Sequence, residues 1–286
     1  MPELPEVETI KLELNKLIKG KKIKSVEIRL PKEIKTPKNK FLKSVQGAKI
    51  EKVWRRAKIL VVGLDNGYHL VFHLKLTGQL IYKYPGYSRK SMSHQSVFSE
   101  NLPNKHSHLI FNFTDGSKLF FNDPRQFGWV RLVNNKELTE IFSEFGPEPL
   151  AKEFTFEKFK ELVSKRKTAP IKPLLMDQKF LAGVGNIYSQ EACFCAGVLP
   201  TRSANAINER ELEKIYNCLR KILKLAISKK GSSVEYYVDV FGERGNMVPW
   251  LKVYGREGKK CKRCGAIIKS IKQRQRTTYY CPKCQK

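Results

Sequence analysis

Four cysteines near the end of the chain restrict its fold more than any other feature. Cys261 and Cys264 form one CxxC pair, Cys281 and Cys284 form another, and sixteen residues separate the pairs. This spacing is typical of tetrahedral coordination of Zn²⁺ by sulfur. Four thiolates leave no position for water, so the metal would stabilise the fold and take no part in catalysis. We predict one structural zinc ion in a small ribbon over residues 259–286.

The charge of the chain predicts a polyanionic partner. Lys and Arg number 55 against 27 Asp and Glu, which gives a formal net charge of +28. Nucleic acid is the leading interpretation, although ribosomal attachment or an anionic membrane surface would also satisfy charge alone. Between the two cysteine pairs lie Lys269, Lys272, Arg274 and Arg276. A rigid, zinc-held hairpin favours phosphate contact over a merely solvated charge run.

Apolar stretches are short, and a signal peptide pattern is missing from the first residues. These observations predict a cytoplasmic protein without a membrane partner. The other cysteines, Cys193, Cys195 and Cys218, lie in apolar helical contexts, and the total of seven is odd. We therefore expect reduced thiols at these three positions.

Hydrophobic periodicity predicts an α+β multidomain protein. Short runs that alternate with period two or are continuously apolar, such as residues 59–64 and 68–72, recur between Lys22 and Val133 and indicate a β-sandwich or a barrel-like domain. The polar stretch from Lys83 to Lys105 is too long for a hairpin turn and is expected to be a mobile surface insertion. Helical spacing replaces period two near residues 146–150. We place domains at 1–146, 147–258 and 259–286.

The N-terminus combines an amine with a carboxylate. Removal of Met1 would expose the secondary amine of Pro2 beside Glu3, a pair suited to covalent catalysis. Taken alone, these two residues are more typical of a tail that precedes a helix. Apolar residues repeat at helical spacing from Val7 to Ile18, so the terminus is expected to be anchored by a packed helix.

Three further stretches are ambiguous when taken singly. Two glycines at the start of Gly183–Tyr188 suit either phosphate binding at a helix start or a close helix crossing. Lys58 stands before an apolar strand, where a lysine is usually a surface charge. Phe127 lies in a turn beside Arg125, and this turn alone favours a core position for Phe127 over a wedge between bases.

In their order along the chain, these motifs resemble the formamidopyrimidine-DNA glycosylases from residue 1 to residue 286, beginning with Met1-Pro2-Glu3-Leu4-Pro5-Glu6-Val7. The resemblance implies an N-terminal helix with a β-sandwich, a helix-two-turn-helix domain and a C-terminal zinc ribbon. It also implies a monomeric glycosylase and abasic-site lyase that removes 8-oxoguanine and ring-opened purines from damaged double-stranded DNA.

The resemblance also assigns individual roles. Pro2 would be the nucleophile, Glu3 the acid, Lys58 a catalyst of β-elimination and Arg276 a catalyst of the second elimination. Positions that would contact DNA are His73, His106, Arg125, Arg166, Lys172 and Asn186. Residues that would fill the space left by the extruded base are Leu76, Arg125 and Phe127.

The chain departs from the family pattern at two positions. Leu76 replaces an intercalating Met and should still form a wedge, whereas Lys75 replaces a Gly that can adopt positive φ at low cost. The segment from Gly231 to Asn246 resembles the loop that covers the extruded base.

Two other functions are compatible with the motifs. One is an oxidised-pyrimidine glycosylase of the endonuclease VIII type, although such proteins typically have Gly at the position of Leu4. The other is a zinc-ribbon protein that binds nucleic acid without catalysis.

Overall fold

The computed structural model describes residues 1–86 and 101–286. The chain forms two compact units. One contains Met1–Ser143 and Ile227–Val248, and the other contains Glu144–Ala226 and Pro249–Lys286. Most of the predicted insertion between Lys83 and Lys105, namely residues 87–100, lies outside the described residues.

The first unit is built on two four-stranded antiparallel sheets, with strand orders β1-β6-β7-β5 and β2-β3-β4-β8. The strands are β1 (Ile23–Ile28), β2 (Ile50–Arg56), β3 (Ile59–Leu64), β4 (His69–His73), β5 (Gln79–Lys83), β6 (Ser107–Phe113), β7 (Lys118–Asn122) and β8 (Trp129–Val133). Residues from both sheets share one buried apolar core. The β-sandwich prediction is therefore confirmed.

Helix α1 (Leu4–Ile18) buries Val7, Ile10, Leu14 and Ile18 in the same core, as its spacing predicts. In the first unit, strand β2 and the helices α2 (Lys38–Val45) and α3 (Asn135–Ser143) were not predicted. Strand β2 was hard to recognise because charged residues interrupt its apolar positions, and burial alternates only partly along it.

The segment 227–248 packs with the first unit, although it lies far from α1 in the sequence. The Lys230 ammonium donates to Glu13 at 2.8 Å, and the amide of Val240 donates to the same carboxylate at 3.3 Å. Tyr237 and Val240 join the sandwich core. The division into domains at residues 146 and 258 stays a prediction.

The second unit contains α4 (Phe156–Ser164), α5 (Ile171–Met176), α6 (Asn186–Ala196) and α7 (Glu209–Ser228). A capping box begins α7, because the Asn208 carboxamide oxygen accepts from the Glu211 amide and the Glu211 carboxylate accepts from the Asn208 amide, each at 3.0 Å. Residues 269–273 and 276–280 form the antiparallel strands β9 (Lys269–Gln273) and β10 (Arg276–Tyr280) of the ribbon.

A disulfide links Cys195 at the end of α6 to Cys218 in α7. The expectation of reduced thiols is therefore wrong for these two residues, while Cys193 is a buried free cysteine. Packing of the helices places the two Cα atoms 5.8 Å apart, a distance that their separation of 23 residues does not reveal. Among the helices of residues 1–86 and 101–286, none combines the length and the apolar character needed to cross a bilayer.

Candidate functional site

The N-terminal site is built around two buried carboxylates. Pro2 is buried, and Glu3 and Glu6 are 3% and 1% exposed. A capping box holds the first turn, since the Glu3 amide donates to Glu6 Oε2 at 2.7 Å. Both carboxylates therefore lie at the positive end of the α1 dipole.

Glu6 also joins α1 to the loop that begins at Gly231. The Ser232 amide donates to Glu6 Oε1 at 2.8 Å. Gly231 has φ of +82°, and a Cβ at this position would lie 2.8 Å from both Cγ and Oε1 of Glu6. Only glycine allows this approach. Sequence reasoning missed both contacts of Glu6, the capping box and the bond to Ser232. The three-residue spacing from Glu3 could have indicated the capping box.

Lys58 lies at the turn between β2 and β3, where Ala57 has φ of +54°. The residue is only 6% exposed, so the interpretation of Lys58 as an ordinary surface charge is wrong. A buried ammonium is expensive unless an anion or a set of hydrogen bonds stabilises it. Lys58 is therefore a buried residue of this turn and not a solvated side chain.

His73 ends β4 and is kept neutral by its surroundings. Burial first, and then the positive charges of Lys75 and Lys58, lower its pKa to about 3. Its Nδ1 accepts from the Lys75 amide at 3.0 Å, which places the ring proton on Nε2. His73 therefore offers a neutral donor.

Lys75 adopts φ of +51°, in the left-handed region that favours the glycine it replaces. The hydrogen bond from its amide to His73 stabilises this conformation. Leu76 follows and is half-buried.

We expect His73 to remain uncharged at pH 5, because its pKa in the folded chain lies far below the ordinary value of 6.5. An unfolded chain would bind a proton there that the folded chain does not, so the free energy of unfolding should fall as pH falls from 6.5 toward 3. As pH falls from about 7 to 5, this residue should lower the free energy of unfolding by about 2 kcal/mol. NMR titration of the His73 imidazole would test whether it stays uncharged, and urea unfolding at each pH would measure the loss of stability.

The control is His73→Asn, whose carboxamide oxygen can still accept from the Lys75 amide. This variant should show a smaller loss of stability between the same pH values. A His73 resonance that titrates near pH 6.5 would contradict the prediction.

The turn after β7 is organised by the buried carboxylate of Asp123. It accepts from the Gly128 amide at 2.5 Å, from the Arg125 amide at 3.3 Å and from the Thr77 hydroxyl. Arg125 is exposed and its guanidinium lies 5.0 Å from the Phe127 ring centre.

Phe127 is 52% exposed, so the core position favoured by this turn alone is wrong. The reason is that the hydrogen bonds of Asp123 fix the turn with its tip outside the sandwich.

His106 lies beside the same turn, since its carbonyl accepts from the Asp123 amide at 3.0 Å. Partial burial and the charges of Lys105 and His108 lower the pKa of its imidazole, against a smaller opposite effect of Asp123. The two loops that carry His106 and Arg125 are thus fastened to each other.

The remaining predicted residues lie in the second unit. Arg166 is exposed in the turn after α4, and Arg276 is exposed at the start of β10. Lys172 is fully buried and its Nζ donates to the Thr278 hydroxyl at 2.8 Å. Asn186 begins α6, and its Nδ2 donates to the Thr277 carbonyl at 3.3 Å. Two of these side chains therefore contact the ribbon strand that carries Arg276.

The four cysteines of the ribbon converge on one point. The sulfur atoms of Cys261, Cys264, Cys281 and Cys284 all lie within 4.8 Å of one another. A set of four soft sulfur donors fits Zn²⁺. The centre holds one structural zinc ion, as the sequence predicts.

Fold and metal centre together define the class: a zinc-ribbon protein that combines an N-terminal helix, a β-sandwich and a helix-rich unit. Family models match three stretches: the formamidopyrimidine-DNA glycosylase N-terminal domain over residues 1–130, the H2TH domain of the same glycosylase over residues 145–238, and the zinc finger found in FPG and IleRS over residues 258–286.

Individual relatives match over the whole length. The chain is 42% identical over 289 residues to the formamidopyrimidine-DNA glycosylase of Pelotomaculum thermopropionicum, with 100% of this chain and 99% of that protein covered. It is similar to the structure of MutM in complex with carbocyclic 8-oxo-G containing DNA (TM-score 0.87, 35% identity, 100% of each chain covered). The Lactococcus lactis Fpg in complex with an abasic site containing DNA matches with TM-score 0.87 and 34% identity over 99% of each chain. The chain belongs to the formamidopyrimidine-DNA glycosylase family.

Proposed function

We propose that this protein is a bifunctional DNA glycosylase and abasic-site lyase of base excision repair that removes oxidised purines, namely 8-oxoguanine and formamidopyrimidines. The observation that carries the proposal is the N-terminal site, where a capping box fixes Pro2 beside the buried Glu3. The complexes of relatives with DNA containing an 8-oxo-G analogue or an abasic site support the same substrate class.

The reaction begins at the amine of Pro2, freed by removal of Met1. An α-amino group ordinarily has a pKa of about 7.7–8.0, so a useful fraction is neutral and nucleophilic near pH 7. Its nitrogen bonds to C1′ of the damaged nucleotide, the glycosidic bond breaks, and the base leaves with a proton. Opening of the sugar ring gives a cationic iminium, with O4′ taking a proton. Glu3 exchanges protons during these steps.

The iminium then drives strand cleavage. It acidifies the C2′ hydrogens, so loss of one of them expels the 3′ phosphate in β-elimination, where Lys58 acts. A second elimination expels the 5′ phosphate, and Arg276 acts there. In both steps a cation offsets the negative charge that develops on the departing phosphate.

DNA is held by cations and neutral donors. Arg166 is exposed and neutralises a phosphate, and His106 and Asn186 add donors. Lys172 is buried against Thr278 and adds its positive charge from behind β10. His73 donates from Nε2 in its neutral form, which keeps this contact independent of pH above about 3.

Extrusion of the damaged nucleotide costs a few kcal/mol, and apolar or cationic side chains offset this cost by occupying the vacated space. Phe127 and Arg125 are exposed on a fixed turn, and Leu76 is half-buried close to His73 in the chain. Their accessibility supports the proposed wedge. Because the substrate is DNA, we place the protein in the cytoplasm of a bacterium, where it acts as a monomer.

A panel of duplexes tests the function. We expect release of 8-oxoguanine and formamidopyrimidine at rates at least about tenfold above release of thymine glycol, and covalent capture on abasic DNA in the presence of borohydride. Faster release of thymine glycol would favour the oxidised-pyrimidine alternative. Tight binding of every duplex without release or capture would favour a non-catalytic protein.

A further inference from the structure

A fully buried glutamine on α6 bonds to the backbone of β10. Gln190 is 0% exposed, its Oε1 accepts from the Tyr279 amide at 2.6 Å, and its Nε2 donates to the Thr277 carbonyl at 3.1 Å. Residues two apart in a strand present their backbone groups on the same side. One side-chain amide thus supplies the donor and the acceptor that a neighbouring strand would supply.

The same amide orients Asn186. Gln190 Nε2 lies 3.0 Å from Asn186 Oδ1, while Asn186 Nδ2 donates to the Thr277 carbonyl. Gln190 therefore holds together the helix start that carries Asn186 and the strand that carries Arg276.

Arg276 needs such support because of the turn that precedes it. Arg274 and Gln275 have φ of +43° and +60°, a conformation that asparagine and glycine adopt more readily. A two-stranded ribbon is only marginally stable by itself, and the zinc ligand Cys281 lies beyond the far end of β10. Near the turn, β10 is held by Gln190 and by the Lys172–Thr278 hydrogen bond.

We propose that Gln190 is a positioning residue for the second elimination: by fixing the backbone at Thr277 and Tyr279, it directs the guanidinium of Arg276 at the departing 5′ phosphate. This inference rests on the proposed function, because the role of Arg276 is part of that proposal. Gln190 itself touches the strand and not the substrate.

The chemistry of the carboxamide provides a specific test. An ionised carboxylate in Gln190→Glu can accept from the Tyr279 amide, but it cannot donate to the Thr277 carbonyl. Its negative charge would face three oxygens, namely the Thr277 carbonyl and the carbonyl and Oδ1 of Asn186. The protonated acid has the shape of the amide and regains a donor. The defect of Gln190→Glu should therefore disappear as pH falls, whereas Gln190→Met should be defective at every pH.

The experiment uses the full-length, zinc-loaded chain and a duplex with an abasic site, so base release does not enter. Single-turnover gels give the ratio of β- to β,δ-elimination products between about pH 8 and 5, relative to wild type at each pH. We expect a roughly tenfold slower second elimination in Gln190→Glu at pH 8 and a near wild-type ratio at pH 5. Ser189→Ala is the matched control, because Ser189 is buried on the same helix but donates to the Gly185 carbonyl. Zinc content and melting temperature are recorded for each variant.

Arg276→Ala separates the two proposals. If its product ratio equals that of wild type, the role of Arg276 is wrong. If Arg276→Ala loses the second elimination while both Gln190 variants match wild type, the inference about Gln190 is overturned. A defect in Gln190→Glu of the same size at every pH would also overturn it, because lost packing would then explain the result. Should Gln190→Met not fold, the pH response of Gln190→Glu decides alone.

Discussion

Acetylation of the Pro2 nitrogen will abolish covalent capture on abasic DNA by borohydride and leave DNA affinity within about twofold of the unmodified protein. An amide nitrogen cannot attack C1′, so base release should slow by more than about a thousandfold, which corresponds to about 4 kcal/mol of barrier. Affinity should persist because the proposed phosphate contacts come from other residues. Gel analysis of the cross-link and fluorescence anisotropy would measure the two quantities.

Pro2→Gly is the matched comparison, because it keeps a terminal amine while removing the ring. It should retain weak capture, since glycine also permits removal of Met1. Equal capture by the acetylated and free proteins would show that a different amine, such as Lys58, forms the bond. The proposal for Pro2 would then be wrong.

Loss of zinc will be the second large effect, and it will act on DNA binding. Cys281→Ser should remove the metal and loosen the ribbon that presents Lys269, Lys272, Arg274 and Arg276. If two or three phosphate contacts are lost, affinity should fall by roughly one to two orders of magnitude at moderate salt. The slope of log K against log salt concentration should fall by about 0.9 for each lost contact.

Cys193→Ala is the control, because Cys193 is a buried thiol outside the metal centre. Burial raises the pKa of this thiol to about 12, so it stays protonated and chemically inert at neutral pH. Its replacement should leave metal content and salt dependence unchanged. Unaltered affinity in a fully demetallated Cys281→Ser protein would remove the ribbon from the proposed interface.

Local patterns predicted much of this fold. Helix α1 and the apolar strands of the sandwich follow from periodicity, because side chains at helical or alternate spacing share one face whatever the rest of the chain does. The zinc centre follows from ligand spacing in the same way. Strand β2 could not be predicted in this way, because the charged residues Glu51 and Lys52 interrupt its apolar pattern. Its pairing with β3 stabilises the strand despite this interruption.

In the candidate site, too, local patterns predicted some features and not others. The opening residues and the cysteine pairs were recognisable because their functional groups lie at consecutive or closely spaced positions in the sequence. The bond from Ser232 to Glu6 spans 226 residues and the contact between Gln190 and Tyr279 spans 89, so neither has a local signature.

By itself, the sequence determined the metal, the basic character of this chain and hence the anionic character of its partner, the helical anchor of the N-terminus and the strand-rich first half. Only the tertiary structure decided that Lys58 is buried, that Phe127 is exposed, and that Cys195 pairs with Cys218. The physical reason is that burial and cross-linking depend on which distant segments pack together. Neighbours in the chain determine only which face a side chain occupies.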